Sequence, residues 1–150
     1  MLTPCACGVV ARVTQPYLVK GRRAPGSPER QDAAWVELIA ALRTAAGAGL
    51  PLIQGGRSNG ARVACRTARA VGARAVIALA FPLHPPGRPS ERRDAHLGDV
   101  RRPMLIVQGS RDTFGTPAEF ESLVDRLSPT PTMHVVEGGD HSFKISRGGR

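Results

Sequence analysis

Short apolar runs alternate with segments of helical periodicity along most of this sequence. Residues 75–81 are apolar throughout, which is typical of a strand in a parallel sheet covered on both faces. Strands separated by helices of ordinary length predict βαβ units, in which the strands run in the same direction. The sequence therefore predicts an α/β fold with a mostly parallel sheet. The expected strands lie at residues 8–14, 50–55, 75–81, 104–108 and 133–137, and the expected helices at about 32–43, 58–71 and 116–127.

Two of these helices carry local signals that say how they begin or pack. Thr116 and Glu119 form a capping-box pattern, with a proline between them at the first helical position. The helix at 58–71 has a face of small residues, which suits close packing on a sheet, while arginines line its outer face. The small residues are Ala61, Ala64, Cys65 and Ala68, and the arginines are Arg62, Arg66 and Arg69.

Length and composition set the class of protein. A chain of 150 residues with 41% hydrophobic residues can bury a core, and we expect a single domain over residues 1–150. No apolar run approaches the ~20 residues that span a bilayer. Residues 1–7 have no basic region followed by a long apolar stretch, so we expect no secretory signal there. Three cysteines, an odd number, argue against a disulfide framework. These features predict a cytoplasmic protein without a membrane partner.

The chain is basic, with 21 Lys and Arg against 12 Asp and Glu and a formal net charge of +9. A basic surface can attract nucleic acid. However, the charge is scattered through every segment, and aromatic residues, on which single strands stack, make up only 4%. The composition therefore favours a solvated, arginine-rich surface over a nucleic-acid partner.

The most informative local motif is Gly56-Arg57-Ser58-Asn59-Gly60, which joins a predicted strand to a predicted helix. A nucleophile elbow requires that context, since the tight turn holds the serine at the carboxyl edge of the sheet. Gly56 and Gly60 are expected to be needed because side chains there would collide with the neighbouring backbone. The pentapeptide alone is equally typical of a glycine-rich turn with a serine at a helix N-cap, and it does not decide between the two.

Two further residues follow predicted strands in an order that suits a serine nucleophile. Asp112 comes just after the strand at 104–108, and His141 just after the strand at 133–137. In a parallel sheet these residues and Ser58 fall at the same edge. A serine nucleophile needs a histidine base, and the base needs a carboxylate to fix its tautomer. The order serine, aspartate, histidine is the one that α/β-hydrolases use, and the three residues together predict this chemistry better than any one alone.

With these motifs, most of the chain resembles the dienelactone-hydrolase-like α/β-hydrolases. It is most similar to the family that includes a testis-expressed protein and a subunit of the nonspecific-lethal chromatin complex. The resemblance implies a three-layer α/β-hydrolase-like fold, with Ser58 as nucleophile, Asp112 as acid and His141 as base. The segments that carry it are Gln15-Pro16-Tyr17, residues 21–25, residues 55–64, the loop Phe81-Pro82-Leu83-His84-Pro85-Pro86-Gly87-Arg88-Pro89, residues 108–115 and Gly139-Asp140-His141.

The sequence departs from this family at its beginning. Relatives carry a strand that ends in a His-Gly-x-Gly-Gly-like turn, which supplies one donor of the oxyanion hole, and no such turn precedes Ser58 here. We therefore expect the C-terminal part of the fold without its N-terminal strands, as a fragment, a wrongly assigned start or a decayed enzyme. Without the missing strand, residues 9–13 would either pair with the strand at 52–54 or come loose, and the second outcome would expose an apolar edge that favours self-association into a homo-oligomer.

The resulting hypothesis is a serine hydrolase acting on an ester, thioester or similar acyl bond of a small molecule. The backbone N–H of Asn59 would supply one oxyanion donor. The alternative is a catalytically weak or inactive interaction module with the same fold. No cofactor or metal is expected, since Cys5-x-Cys7 is too short for a zinc knuckle.

The long segment 82–102 is expected to lie over the substrate pocket. His84 is a candidate for substrate binding there, and a structural loop histidine is the other interpretation. Three arginines of the segment, Arg88, Arg92 and Arg93, favour acidic substrates.

Overall fold

The computed structural model of the protein describes the backbone of residues 2–5, 8–47 and 49–145, and side chains within 8–47 and 49–145. The chain divides into two compact units, Met1–Leu50 and Pro51–Arg150. The single domain expected from the chain length stays a prediction. No helix in the described ranges is both long and apolar enough to cross a membrane.

The first unit contains a two-stranded antiparallel sheet and two helices. The sequence predicts the second of these strands, within residues 8–14, but not its partner. Pairing with that partner makes the strand part of a hairpin, so the expectation that it belongs to the parallel sheet is wrong. Between the second strand and the long helix, where the sequence predicts neither a helix nor a strand, the structure also has a short helix. The elements are β1 (Leu2–Cys5), β2 (Gly8–Ala11), α1 (Pro16–Val19) and α2 (Pro28–Ala46).

The start and end of α2 follow from its flanking residues. Ser27 is the N-cap and accepts a hydrogen bond from the Arg30 N–H, and Pro28 occupies the first helical position, where no N–H is needed. Gly47 ends the helix with a φ of 101°, a backbone conformation that favours glycine.

The second unit is a four-stranded sheet in the order β3-β4-β5-β6, and every neighbouring pair is parallel. This confirms the predicted alternation of strands and helices. A 3₁₀ helix interrupts the long segment between β4 and β5. The elements are β3 (Ile53–Arg57), α3 (Asn59–Thr67), β4 (Ala75–Leu79), the 3₁₀ helix (Ala95–Asp99), β5 (Met104–Gly109), α4 (Pro117–Val124) and β6 (Thr132–Val136).

β3 differs most from its prediction. It was expected as a buried strand at 50–55, but it begins three residues later and ends two residues later. Only Gln54 is buried in it, while Ile53 is 60% exposed. The reason is its place in the sheet, because β3 ends the strand order among the described residues. Because β3 ends at Arg57, the strand runs directly into the turn at Ser58 that precedes α3.

The small-residue face of α3 packs as predicted. Ala61, Ala64, Cys65 and Ala68 are each at most 3% exposed. Gln54 holds β3 against this helix, because its side-chain amide donates to the Ala64 carbonyl at 2.6 Å and to Thr67 Oγ1 at 3.2 Å. The middle and the end of α3 are therefore fixed relative to the sheet. The carboxyl ends of β3, β5 and β6 point their following loops to one edge.

Candidate active site

Ser58 lies in the sharp turn between β3 and α3. Its φ and ψ are 54° and −118°, a strained conformation for a residue with a side chain. The turn is held from β4, because the Ser58 N–H donates to the Leu79 carbonyl at 2.9 Å. A Cβ at Gly56 would lie 2.5 Å from the Gly60 carbonyl carbon, so the turn requires glycine at that position. This is the geometry of a nucleophile elbow.

Asp112 lies in the loop after β5 and is completely buried. Three groups hydrogen-bond its carboxylate. The Phe114 N–H donates to Oδ1 at 2.9 Å, the Gln108 amide donates to Oδ2 at 2.8 Å, and the ring of His141 contacts both oxygens. These three contacts fix the position of the carboxylate in the loop.

His141 lies in the loop after β6, and that loop is tied to the Asp112 loop at several points. The Arg111 N–H donates to the Gly139 carbonyl at 2.9 Å, and the Gly138 N–H donates to Ser110 Oγ at 2.8 Å. A Cβ at Gly109 would collide with the Gly139 carbonyl oxygen, so the two loops approach closely only because position 109 is glycine. These contacts fix the separation of the acid and the histidine.

The three side chains form one continuous hydrogen-bonded line. His141 Nε2 is 2.9 Å from Ser58 Oγ, and His141 Nδ1 is 2.9 Å and 3.0 Å from the two Asp112 oxygens. Since the carboxylate only accepts, Nδ1 carries the proton, and Nε2 of the neutral ring is then the acceptor for the serine hydroxyl. The His141 side chain is 21% exposed and Ser58 is half-buried, so the serine end of the line is open to solvent.

Two neighbours fix the orientation of His141. The Phe114 ring stacks on the imidazole with centroids 4.1 Å apart and planes inclined by 28°. Arg57, the residue before Ser58, places Nη1 3.5 Å from the His141 carbonyl oxygen. The histidine is therefore held at its ring and at its backbone by residues adjacent to the acid and to the serine.

Asp140, the acidic neighbour of His141, has a different role. Its Oδ1 accepts hydrogen bonds from the Ser142 N–H at 2.7 Å and the Lys144 N–H at 2.9 Å, so it shapes the histidine loop. The Lys144 and Ser142 N–H groups lower the pKa of the Asp140 carboxyl below its ordinary value. Asp112, which the sequence predicts as the acid, is the carboxylate that contacts the imidazole.

The remaining predicted residues lie around this line. Asn59 is the first residue of α3, directly after Ser58, as the expected oxyanion donor must be. His84 is only 5% exposed, and both of its ring nitrogens are engaged with Pro85 and Glu119. It therefore lies in the interior of the loop and offers no free ring nitrogen to a ligand.

Two of the arginines expected to favour acidic substrates are engaged within their own loop. Arg88 pairs with Glu91 at 3.0 Å, and Arg92 pairs with Asp94.

Cys65 is buried, and burial raises the pKa of its thiol to about 12, so it is not a competing nucleophile at neutral pH.

Sequence reasoning missed Gln108, Phe114 and Glu119 as residues that support the site. Gln108 carried a usable signal. It follows Met104 and Ile106 at strand spacing on a buried face, where a polar side chain needs a partner, and it lies four residues before Asp112. For Phe114 no signal existed, because its stacking on His141 joins residues that are far apart in the chain.

Comparison with protein families gives one match, to the family described as "Alpha/beta hydrolase domain", over residues 9–149. The match therefore includes Ser58, Asp112 and His141 and spans nearly the whole chain.

Solved structures show the same fold at low sequence identity. An α/β serine hydrolase without a lid from Xanthomonas campestris superimposes with a TM-score of 0.62 at 21% identity, over 81% of this chain and 52% of that one. An alpha-beta serine hydrolase homologue from Coxiella burnetii gives 0.64 at 16% identity, over 80% and 54%. The esterase domain of a Rhodothermus marinus protein gives 0.53 at 16% identity, over 74% and 60%. The likeness confirms the predicted α/β-hydrolase-like fold, and this chain spans about half the length of the first two structures.

Proposed function

Because the chain belongs to the alpha/beta hydrolase domain family, we propose that it is a serine hydrolase that cleaves ester, thioester or related acyl bonds through Ser58, His141 and Asp112. One observation carries the proposal, namely the unbroken hydrogen-bonded line from Ser58 Oγ through the imidazole to the buried Asp112 carboxylate. A helix N-cap serine alone would need neither the histidine nor the acid. The strained backbone at Ser58 favours the same reading, since such strain is concentrated at functional sites.

The proposed reaction begins with proton transfer along this line. His141 Nε2 takes the hydroxyl proton as Ser58 Oγ attacks the acyl carbon, and the resulting imidazolium is stabilised by Asp112. The histidine then returns the proton to the leaving alcohol or thiol, which leaves an acyl-serine. Water, activated by the same histidine, hydrolyses that ester and regenerates the serine.

Charge on the carbonyl oxygen needs hydrogen-bond donors in the transition state. The Asn59 N–H, next to the nucleophile at the start of α3, is the first proposed donor. Each such donor contributes roughly 3 kcal/mol to transition-state stabilisation, so a second donor determines about two to three powers of ten in rate.

Within the family, we assign the chain to the dienelactone-hydrolase-like members. The support is the distinctive Pro82-Leu83-His84-Pro85-Pro86-Gly87 loop. In the structure its first part, residues 81–85, is buried against the second unit's core, which fits a loop with a fixed position beside the site.

A covalent serine-hydrolase probe tests the function. A fluorophosphonate should label the protein at Ser58, and p-nitrophenyl acetate should be hydrolysed. Both activities should disappear in Ser58→Ala, and both should persist in the matched variant Ser90→Ala, which changes an exposed loop serine. A folded protein whose Ser58 stays unlabelled would contradict the proposal and would support the interaction module instead.

A further inference from the structure

A second histidine–carboxylate pair lies beneath the site and is not used by the proposed reaction. His84 Nε2 is 2.8 Å from Glu119 Oε1, and His84 Nδ1 is 2.8 Å from the Pro85 carbonyl oxygen. The imidazole is almost fully buried, and the Glu119 side chain is 33% exposed. The pair joins the loop after β4 to the first turn of α4.

Both ring nitrogens of His84 face oxygens that only accept. A carbonyl oxygen requires a proton on Nδ1, and an ionised carboxylate requires one on Nε2, so the contacts are satisfied together only by the imidazolium. Two hydrogen bonds stabilise the Glu119 carboxylate, because its Oε2 accepts from the Thr116 N–H at 2.8 Å and from Thr116 Oγ1 at 2.9 Å. The Thr116 N–H, with His84 adding to the effect, lowers the pKa of Glu119 below its ordinary value.

The same pair holds the segment that carries the acid. The backbone N–H of His84 donates to the Phe114 carbonyl at 3.2 Å. The neighbouring Leu83 side chain lies so close to Gly115 that an added Cβ there would be 3.0 Å from it. Phe114 in turn donates its N–H to Asp112 and stacks its ring on His141. Glu119 binds the other end of the segment at Thr116. Residues 112–116 are thus held at Thr116 by the Glu119 side chain and at Phe114 by the backbone of His84, and the His84 ring bonds to Glu119.

We propose that His84 and Glu119 are positioning residues, which lock residues 112–116 so that Phe114 and Asp112 hold His141 in line with Ser58. The inference rests on the proposed function, since it assigns these two residues to the same site. It also resolves the role of His84, which acts from beneath the acid loop and not by contact with substrate. Displacement of the acid or the histidine by about 1 Å costs up to roughly 100-fold in rate, so the effect of the pair on kcat is measurable.

Kinetics of three variants and one control variant test the proposal. In His84→Ala and in Glu119→Ala, kcat for p-nitrophenyl acetate should fall roughly 10- to 100-fold with KM unchanged, measured per folded molecule. Glu119→Gln should retain kcat within a few-fold, because the amide can accept from the Thr116 N–H with Oε1 and donate Nε2–H to a neutral His84. Glu91→Ala, which breaks an exposed pair with Arg88 in the same loop, is the control and should leave kcat unchanged. If the two alanine variants lose only thermal stability and keep kcat, the pair is merely structural and the proposal is overturned.

A spectroscopic measurement keeps the proposal testable apart from activity. The nuclear Overhauser contact between the Phe114 and His141 rings should be present in Glu119→Gln and lost in Glu119→Ala, and its persistence in both would also overturn it. An unmodified protein that a fluorophosphonate does not label contradicts the proposed function instead, whatever these spectra show.

Discussion

Gln108 donates its side-chain amide to the Asp112 carboxylate across 2.8 Å, from the end of the strand that precedes the acid loop. The same nitrogen donates to the Gly115 carbonyl at 2.7 Å, so one amide spans the loop between the acid and the start of α4. Gln108 is fully buried, and its Oε1 has no hydrogen-bond partner among the described residues. A buried acceptor without a hydrogen-bond partner costs free energy of folding. The two hydrogen bonds that the amide nitrogen donates offset this cost and hold the side chain in place.

Gln108→Leu should impair both stability and turnover. The variant leaves Asp112 and Gly115 each short of a donor, which costs about 1–3 kcal/mol in free energy of unfolding. Since Asp112 then loses one of the groups that aim it at His141, kcat should fall as well. Chemical denaturation and ester kinetics measure the two effects.

Gln54→Leu is the matched control for this prediction. It also removes a buried amide, whose side-chain nitrogen donates to Ala64 and Thr67 of α3 and not to the acid. It should therefore destabilise the protein without changing kcat per folded molecule. Equal kcat losses in both variants would show that the Gln108–Asp112 bond has no specific effect.

Asp112→Asn and Asp140→Asn separate the two acidic candidates. An amide at position 112 presents a donor to His141 Nδ1 and favours the wrong tautomer, and the equivalent change in a serine protease lowers kcat about 10⁴-fold. Asn at position 140 keeps an oxygen that can accept from the Ser142 and Lys144 N–H groups, so the loop and the rate should be nearly unchanged. Ester turnover of the two purified variants decides, and an inactive Asp140→Asn beside an active Asp112→Asn would refute the assignment.

The residues that meet at the site were predictable because their convergence depends mainly on the parallel order of the strands. Ser58, Asp112 and His141 each follow a strand of one parallel sheet, and such residues converge at its carboxyl edge whatever the details of packing. The capping box at Thr116 and Glu119 is equally local, and it forms as the spacing predicts. Sequence order and short-range spacing were sufficient for these features.

Features that depend on pairing between distant segments were not predictable. The strand β1 has no apolar alternation of its own, and only its pairing with β2 defines it. The partner of His84 lies 35 residues away, and nothing in the loop sequence names Glu119. Ile53 was expected to be buried because it is apolar, but its exposure is set by the edge position of β3. The periodicity of a segment predicts its type of secondary structure, but it does not predict which other segment of the chain packs against it.

Gly56→Ala should destabilise the elbow. The added Cβ would lie 2.5 Å from the Gly60 carbonyl carbon, and its three nearest atoms all belong to the Gly60 backbone, which cannot give way cheaply. Overpacking of this kind costs typically 1–3 kcal/mol, and the displaced turn should move Ser58 away from His141. We expect a lower thermal midpoint and slower fluorophosphonate labelling. Gly98→Ala is the control, since its Cβ would enter open space, and a similar loss there would contradict the steric explanation.

Glu119 should make a stability contribution that disappears in acid. Its carboxyl has a lowered pKa in the folded protein, chiefly because the Thr116 N–H donates to it. A group with a lowered folded-state pKa stabilises the fold above its unfolded-state pKa, about 4.3 for glutamate, and loses that contribution as the pH falls through the folded-state value. The thermal midpoint of the unmodified protein should therefore exceed that of Glu119→Gln at neutral pH, and the difference should shrink below about pH 4. A difference that is constant or grows in acid would have the wrong sign.

Cys65 should be inert to thiol reagents until the protein unfolds. Its side chain is 3% exposed, and burial raises the pKa of the thiol to about 12, so almost no thiolate exists at mildly alkaline pH. The measurement uses Cys5→Ser/Cys7→Ser, in which Cys65 is the remaining cysteine. Ellman's reagent should report no free thiol in the native protein and one thiol per chain in denaturant. Reaction in the native state as fast as in denaturant would mean that α3 opens readily, which contradicts its packing through Ala61 and Ala64 on the sheet.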